Sequence, residues 1–163
     1  MRVTMMNYPL LQEVSAFVAT EADMLDHREY ADWLGLWKED GLYIVPIDPL
    51  EQDYDNTLNY ARDDHEIRQL RVARLTGGES VSTKPPPRTI RQISRERILS
   101  QHDGLITLRC AMFLSEFRKD VVRYCSADIE YQLVKSGDSF KLYRKIVRLI
   151  NSDDAQVTVG FIF

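Results

Sequence analysis

The sequence is short of the residues that build metal centres and redox sites. In 163 residues it has only two cysteines and three histidines. The cysteines have no CxxC or CxxH spacing and the histidines lie in three separate segments, so the chain predicts no metal site of its own. We expect buried, reduced thiols and histidines that cap helices or face solvent. The residues in question are Cys110, Cys125, His27, His65 and His102.

The sequence also lacks long hydrophobic runs and an excess of basic residues. No apolar run reaches the length of about 18 residues that a bilayer requires, and the first residues lack a secretory-signal layout. The net charge of -4 and the pI near 5.4 argue against nucleic acid or an anionic membrane as partner. We therefore expect a cytoplasmic protein with a single domain over residues 1–163.

The first third of the chain predicts two helices. The first begins near Tyr8-Pro9 and has an apolar stripe at helical spacing. Asp26 and Glu29 have the spacing of a capping box, which predicts a second helix that ends at Gly41. The expected inward residues are Val14, Phe17, Val18, Ala22 and Leu25 in the first helix, then Tyr30, Trp33, Leu34 and Trp37 in the second.

A third helix and a stiff connector follow. Residues 48–62 are acidic and aperiodic, which is typical of a surface loop. Asp63 and Glu66 then predict a second capping box, ahead of apolar residues at helical spacing and a glycine stop at Gly77-Gly78. The three prolines at 85–87 restrain the chain to an extended connector. The apolar residues of this helix are Ile67, Leu70, Ala73 and Leu75.

From Arg88 onward the apolar period changes to two, which predicts strands joined by tight turns. If Lys119-Asp120 joins two of them as a hairpin, Cys110 faces about residue 129 and Cys125 about residue 114, a register that opposes a disulfide. Helices before a strand meander indicate an α+β fold, with about three helices packed on a strongly curved, mostly antiparallel sheet shaped like a cone. The predicted strands are 42–45, 88–100, 105–117, 121–134, 139–150 and 156–163.

Four segments resemble the β, or small, subunit of bacterial aromatic-ring-hydroxylating dioxygenases. They are EADMLDHREYADWLGLWKEDGLYIVPI (21–47), RQLRVARLTGG (68–78), PPPRTIRQIS (85–94) and KLYRKIVRLIN (141–151). The chain departs from many members at an Ala-Trp pair, where Glu79-Ser80 stands, and at a histidine, where Arg91 stands. These departures indicate a divergent member, either through changed interface chemistry or through a different subfamily.

The resemblance implies a fold shared with ketosteroid isomerase and scytalone dehydratase. The residue patterns divide the chain into a helical part (about 8–78), a connector (about 79–87) and a sheet part (about 88–163). It implies no cofactor in this chain. The expected partner is an α subunit with a Rieske 2Fe-2S cluster and a mononuclear iron, commonly three α with three β, supplied with electrons by a reductase or ferredoxin. The expected role is structural and non-catalytic, in catabolism of an aromatic compound that the sequence does not identify.

The alternative is a stand-alone dehydratase or isomerase, or a small-molecule-binding protein, that works from the pocket of the cone. A pocket of this kind shifts the pKa of a carboxyl group toward neutrality. The polar residues nearest the apolar stripes are its candidates: Asp23, Asp26, Asp32, Tyr30 and Tyr43. We favour solvated or capping carboxylates and buried tyrosine rings, because no histidine joins them.

Seven residues are candidates for a subunit interface. Three arginines of the third helix fall on one stripe, which is either solvated or able to meet carboxylates of another chain. Arg88 follows the stiff proline segment and forms either an interface contact or a salt bridge within its own domain. The apolar end of the chain is covered by this domain or by a partner. The full set is Arg68, Arg71, Arg74, Arg88, Thr89, Phe161 and Phe163.

Overall fold

A computed structural model describes residues 6–77, 85–151 and 160–163 of the chain. The elements have the predicted α+β order, with three helices and six strands in these ranges. The helices are α1 (Tyr8–Asp26), α2 (Tyr30–Gly35) and α3 (His65–Thr76). The strands are β1 (Trp37–Pro46), β2 (Asn59–Asp63), β3 (Arg88–His102), β4 (Leu105–Arg118), β5 (Val121–Ser136) and β6 (Ser139–Leu149).

The six strands form one mixed sheet in the order β2-β1-β6-β5-β4-β3. Only β1 and β6 pair in parallel, and every other neighbouring pair is antiparallel. Among the described strands the sheet is therefore mostly antiparallel, as predicted, and open, with β2 and β3 at its two edges. Helix α1 contacts β3 and β6, whereas α3 contacts β1 and β2.

The hairpins have the turn chemistry that the sequence indicates. Asp103 and Gly104 (φ 49° and 76°) join β3 to β4, and Lys119 and Asp120 (φ 50° and 60°) join β4 to β5. Positive φ at both central residues matches the right-handed twist of the flanking strands. The resulting register places Cys110 opposite Ile129 and Cys125 opposite Leu114, which confirms the predicted pairing, and both cysteines are free.

The apolar stripe of α1 lies in the core, as predicted. The helix begins after Asn7, whose Oδ1 accepts a hydrogen bond from Leu10 N–H at 3.2 Å, and Pro9 occupies its first turn. Proline suits this position because its missing N–H would have no helical partner. All five predicted inward residues are buried: Val14, Phe17, Val18, Ala22 and Leu25.

The predicted second helix is wrong at both ends. Asp26 ends α1, and α2 begins only at Tyr30 without a capping side chain. The physical reason is that the Asp26 carboxylate accepts hydrogen bonds from β3 instead of from a helix terminus. Trp37 and Gly41 belong to β1, where an irregularity between Trp37 and Leu42 brings Gly41 close to the Trp37 ring.

The region between β1 and α3 also differs from the prediction. Residues 59–62 are not loop but part of β2, because they pair with the edge of β1. The N-cap of α3 is Asp64, whose side chain accepts from Ile67 N–H at 3.0 Å, so the predicted cap at Asp63 is off by one residue. Along α3 the buried residues are Arg68 and Val72, whereas Ile67 and Leu70 are exposed.

The predicted last strand, 156–163, lies partly outside the described residues. Residues 160–163, which are described, do not form a strand, but Ile162 and Phe163 are buried. The proposed connector lies outside the described residues up to position 84. Pro85, Pro86 and Pro87 belong to neither helix nor strand, as their missing N–H groups predict.

Gly41 offers a direct test of the packing around β1. A Cβ atom there would lie 2.9 Å from Trp37 Cε3 and 3.0 Å from the carbonyl oxygens of Leu142 and Lys38. We expect Gly41→Ala to lower the free energy of unfolding by about 1–3 kcal/mol, since two of these three contacts are with backbone. Urea unfolding measures the change.

Gly35→Ala is the matched control, because a Cβ at Gly35 meets nothing within 4 Å. In α2 the added methyl group should leave stability unchanged or raise it by up to about 1 kcal/mol. An equal decrease in the free energy of unfolding for the two variants would contradict the close approach at Gly41.

Candidate functional site

A buried polar cluster lies between α1 and the sheet. We call Glu21, Trp33, Tyr131 and Lys145 the Glu21 cluster. The Glu21 carboxylate accepts from Lys145 Nζ at 2.7 Å, Trp33 Nε1 at 2.8 Å and Tyr131 OH at 3.1 Å. The side chains of Glu21 and Lys145 are each 1% exposed. One carboxylate therefore joins α1, α2, β5 and β6.

The environment of the cluster shifts the pKa values of its cation and its phenol. Desolvation lowers the pKa of Lys145, and the neighbouring Glu21 opposes that shift. Burial raises the pKa of Tyr131 well above its usual value, and the Glu21 charge adds to the effect. Because three donors surround the buried carboxylate, its charge is compensated inside the protein. The cluster is a satisfied ion pair, with its carboxylate already occupied by protein donors.

Residues 160–163 lie against this cluster. The carbonyl oxygen of Phe163 accepts from Lys145 Nζ at 2.7 Å, and Phe163 N–H donates to Tyr43 OH at 3.0 Å. The rings of Phe161 and Phe163 contact each other edge to face, with centroids 5.1 Å apart. Residues 160–163 thus lie beside the cluster, and Phe163 binds its cation, Lys145.

A second ion pair anchors α1 to the edge strand β3. Asp26 accepts from Thr89 Oγ1 at 2.9 Å and from Arg91 N–H at 2.8 Å, and its carboxylate also pairs with the Arg91 guanidinium. Arg91 Nη2 in turn donates to the carbonyl oxygen of Ile162. Arg91 therefore joins α1, β3 and residues 160–163.

An open groove of about 1130 Å³ runs between the end of α1, the prolines and β3. Asp26 and Arg91 line it but are bonded to each other, and Asp23 is 67% exposed beside His27 at 3.3 Å. Asp23 and His27 therefore form a carboxylate–histidine pair in the groove, but both side chains are about two-thirds exposed to solvent. The groove is an open feature of the surface, and this pair is not enclosed by apolar walls.

The remaining candidates for pocket chemistry are spread apart. Asp32 is exposed on α2, whereas Tyr30 and Tyr43 are buried. Burial raises the pKa of both tyrosines, and the Tyr43 hydroxyl is occupied by Phe163 N–H. Tyr43 bonds directly to Phe163, whereas Asp26 is connected to residues 160–163 through Arg91, which bonds to Ile162.

The histidines and cysteines also stay apart. His27 follows the last residue of α1, His65 is the first residue of α3, and His102 ends β3. Within residues 6–77, 85–151 and 160–163, no group of three His, Cys, Asp or Glu side chains is placed to hold a metal ion. Burial raises the pKa of Cys110 to about 12 and that of Cys125 to about 11, which keeps both thiols protonated near neutral pH.

Of the three arginines of α3, Arg68 lies inside the fold. Its guanidinium lies 4.3 Å from the centroid of the Trp37 ring and donates to the carbonyl oxygens of Gly41, Asp63 and Lys38. Arg71 is partly buried and pairs with Asp63. These two residues join α3 to β1 and β2, so Arg68 is not accessible to another chain.

The other interface candidates differ in accessibility. Arg74 and Arg88 are exposed, Thr89 is partly buried against Asp26, Phe161 is half-buried and Phe163 is 8% exposed. The structure therefore leaves Arg74 and Arg88 as the candidates with free access to a partner. Their role at an interface stays a prediction.

Sequence reasoning missed Glu21 and Lys145, although a signal was present. Glu21 lies three residues after Val18 and four before Leu25, on the apolar stripe of α1. Lys145 shares the inward face of β6 with Val147. A charge on each of two apolar faces predicts a buried pair, because an isolated buried charge is unfavourable.

The structure contains no helix, among the residues it describes, that is long and apolar enough to span a membrane.

The sequence and the fold both match known proteins. The profile of the family described as "Ring hydroxylating beta subunit" matches residues 20–153. The benzoate 1,2-dioxygenase subunit beta of Acinetobacter baylyi is 30% identical over 155 residues, covering 90% of each chain. The anthranilate 1,2-dioxygenase small subunit of the same organism is 28% identical over 143 residues, covering 85% of this chain and 88% of the relative.

A solved structure has the same fold. The beta subunit of benzoate 1,2-dioxygenase from Burkholderia mallei superimposes with a TM-score of 0.75 at 24% identity, covering 93% of this chain and 97% of that one. The match confirms the cone-like arrangement of three helices on an open six-stranded sheet. Since the family profile covers most of the chain, the protein belongs to the ring-hydroxylating β-subunit family.

Proposed function

We propose that this chain is the non-catalytic, structural small subunit of a Rieske-type aromatic-ring-hydroxylating oxygenase. Membership of the β-subunit family supports a place in an oxygenase complex. The observation that carries the structural role is the interior of the cone, where the Glu21 cluster and residues 160–163 occupy one another's polar groups. An interior of this kind holds elements together, and the carboxylate and cation at its centre are bonded to protein groups.

The proposed partner is an iron-containing α subunit with a Rieske 2Fe-2S cluster and a mononuclear iron. The names "small subunit" and "subunit beta" of the relatives support a larger companion chain. We further propose three α and three β subunits in the cytoplasm, electrons from a reductase or ferredoxin, and catabolism of an aromatic compound. In this arrangement the two iron centres supply the oxygen chemistry, and this chain supplies contacts.

A stand-alone dehydratase or isomerase is the second candidate function. Enzymes of that class need a carboxylate, histidine or tyrosine free to act in a pocket. Here Tyr43 bonds to Phe163, Asp26 bonds to Arg91, and Glu21 bonds to three donors. The pair of Asp23 and His27 lies in the open groove with both side chains about two-thirds exposed. The geometry therefore favours the subunit over the independent enzyme.

Coexpression tests the proposed partnership. We expect this chain, produced with the Rieske-type protein encoded beside it, to copurify as a complex whose visible spectrum shows a 2Fe-2S cluster. The chain produced alone should carry no stoichiometric iron, because its histidines and cysteines lie apart.

Two outcomes would contradict the proposal: a neighbouring gene product that never copurifies, or stoichiometric iron in the isolated chain. Isotope exchange or dehydration by the isolated chain that is lost in Asp26→Asn or Tyr30→Phe would favour the independent enzyme.

The Glu21 cluster makes a quantitative prediction about stability. Glu21→Met or Lys145→Met leaves one buried charge without its partner, which should lower the free energy of unfolding by about 3–5 kcal/mol. The double variant removes both charges and should recover at least about 2 kcal/mol relative to the sum of the single losses. Urea unfolding of the four proteins measures this coupling.

The surface pair Glu13–Lys135 is the matched control. It joins α1 to β5 at 3.0 Å, and its side chains are 54% and 51% exposed. The same substitutions there should change stability by no more than about 1 kcal/mol each, because solvent screens exposed pairs. If the two pairs gave similar coupling free energies, burial would not be the reason for the strong interaction between Glu21 and Lys145.

A further inference from the structure

Two arginines stand directly opposite each other on the outward face of the sheet. Arg97 of β3 and Arg109 of β4 are Cα partners in the antiparallel ladder. Arg97 is exposed and Arg109 is half-buried. Within the part of the chain that the structure describes, neither guanidinium has a hydrogen bond or an ion pair. Like charges directly opposite each other on neighbouring strands repel, so the pair destabilises the sheet unless an anion compensates it.

The carboxylates on the same face already have other partners. Asp128 of β5 pairs with Arg95 at 2.6 Å. Glu130 lies directly opposite Arg109, but the ion pair of its carboxylate is with Arg148, at 3.8 Å. Four arginines and two carboxylates therefore leave a surplus of two positive charges around the pair.

The neighbouring acidic residue, Glu96, belongs to the other side of β3. It lines the groove between α1 and β3 together with Ala19 and Ala22 of α1. Successive side chains of a strand point to opposite faces, so Glu96 is directed away from the face that carries Arg97. Glu96 therefore leaves the surplus on the outward face unchanged.

An irregularity in β3 keeps one of these carboxylates away from the pair. The register shifts between Ser94 and Arg97, and Arg95 has φ 58°, a conformation that is uncommon for residues other than glycine. Such bulges redirect side chains. Here the Arg95 side chain reaches across β4 to Asp128 of β5 and occupies its carboxylate. The strained backbone thus preserves the unpaired arginines, as expected where a ligand binds.

Short polar side chains lie beside the two arginines. Thr107 and Ala111 are the next residues of β4 on the same face, and Ala111 lies opposite Ser94. Serine and threonine hydroxyls donate hydrogen bonds, as guanidinium groups do. The surface around the pair is therefore rich in donors and has room for a small anion.

We propose that Arg97 and Arg109 bind a phosphate group, which is either inorganic phosphate or part of a small phosphate monoester. A phosphate group carries close to two negative charges at neutral pH, which matches the surplus of two positive charges. Its oxygens pair with guanidinium forks in the bidentate manner, and a carboxylate would compensate only one of the two arginines. The site is a property of this chain alone and does not depend on the proposed oxygenase partner.

The sign of a stability change tests whether the pair is uncompensated. In sodium chloride, Arg97→Gln removes the repulsion and should raise the temperature of thermal unfolding by up to about 4 °C. Arg123→Gln is the matched control, since Arg123 is also an exposed strand arginine but lies opposite Glu116. The control should leave the unfolding temperature unchanged or lower it. A lower unfolding temperature for Arg97→Gln would overturn the proposal.

Calorimetric titration with sodium phosphate at constant ionic strength tests the binding itself. The wild-type chain should bind phosphate at one site. Arg97→Gln and Arg109→Gln should each weaken binding at least about tenfold, because each removes a charged hydrogen-bond donor. Arg123→Gln should bind phosphate as the wild type does. The same affinity in all four proteins, or no measurable binding to the wild type, would contradict the proposed site.

Three anions identify the group that binds. Inorganic phosphate and glycerol phosphate should both bind, whereas acetate, which has a single charge, should bind at least about tenfold more weakly. Tighter binding of glycerol phosphate than of inorganic phosphate would assign the site to a monoester, and equal or weaker binding would assign it to the free ion. Acetate that binds as tightly as phosphate would overturn the assignment to a phosphate group.

Discussion

The ion pair between Glu21 and Lys145 is the interaction on which the arrangement of this protein depends. Two charges removed from water are tolerated only when further donors and acceptors satisfy them. Two donors satisfy the Glu21 carboxylate: Trp33 of α2 and Tyr131 of β5. The carbonyl oxygen of Phe163 accepts a hydrogen bond from Lys145. The pair thus fixes four elements and residues 160–163 around one point. The interior that could serve as a pocket in a cone-shaped fold is used here for attachment.

Two buried arginines also join separate elements, near the two edges of the sheet. Arg91 links α1, β3 and Ile162, and Arg68 links α3 to β1 while stacking on Trp37. A guanidinium suits this task because its planar fork donates in several directions and stays charged when buried. Helices and sheet are consequently joined by charged contacts as well as by apolar packing.

Regular elements of the fold could be predicted from the sequence, and the buried charges could not. Helix α1 and the strands β3 to β6 have apolar residues at regular helical or strand spacing, and the hairpins have typical turn residues. Their predicted positions therefore agree closely with the structure. Asp26 and Asp63 resemble helix caps by spacing, but their carboxylates pair with arginines of other elements, Arg91 of β3 and Arg71 of α3. Strand β2 is five residues long and exists through its pairing with β1. Such contacts depend on tertiary structure, which local spacing does not contain.

The polar groups of the interior are bonded to one another around Glu21 and Lys145, which is the arrangement expected of a subunit that supplies contacts and not catalysis. The most direct test of this account is turnover per iron in a reconstituted oxygenase that contains the Glu21→Met/Lys145→Met chain. The account predicts that a fully assembled complex with this chain turns over at the wild-type rate, because no group of the cluster takes part in the reaction. A complex of normal mass and iron content that has lost its turnover would contradict it.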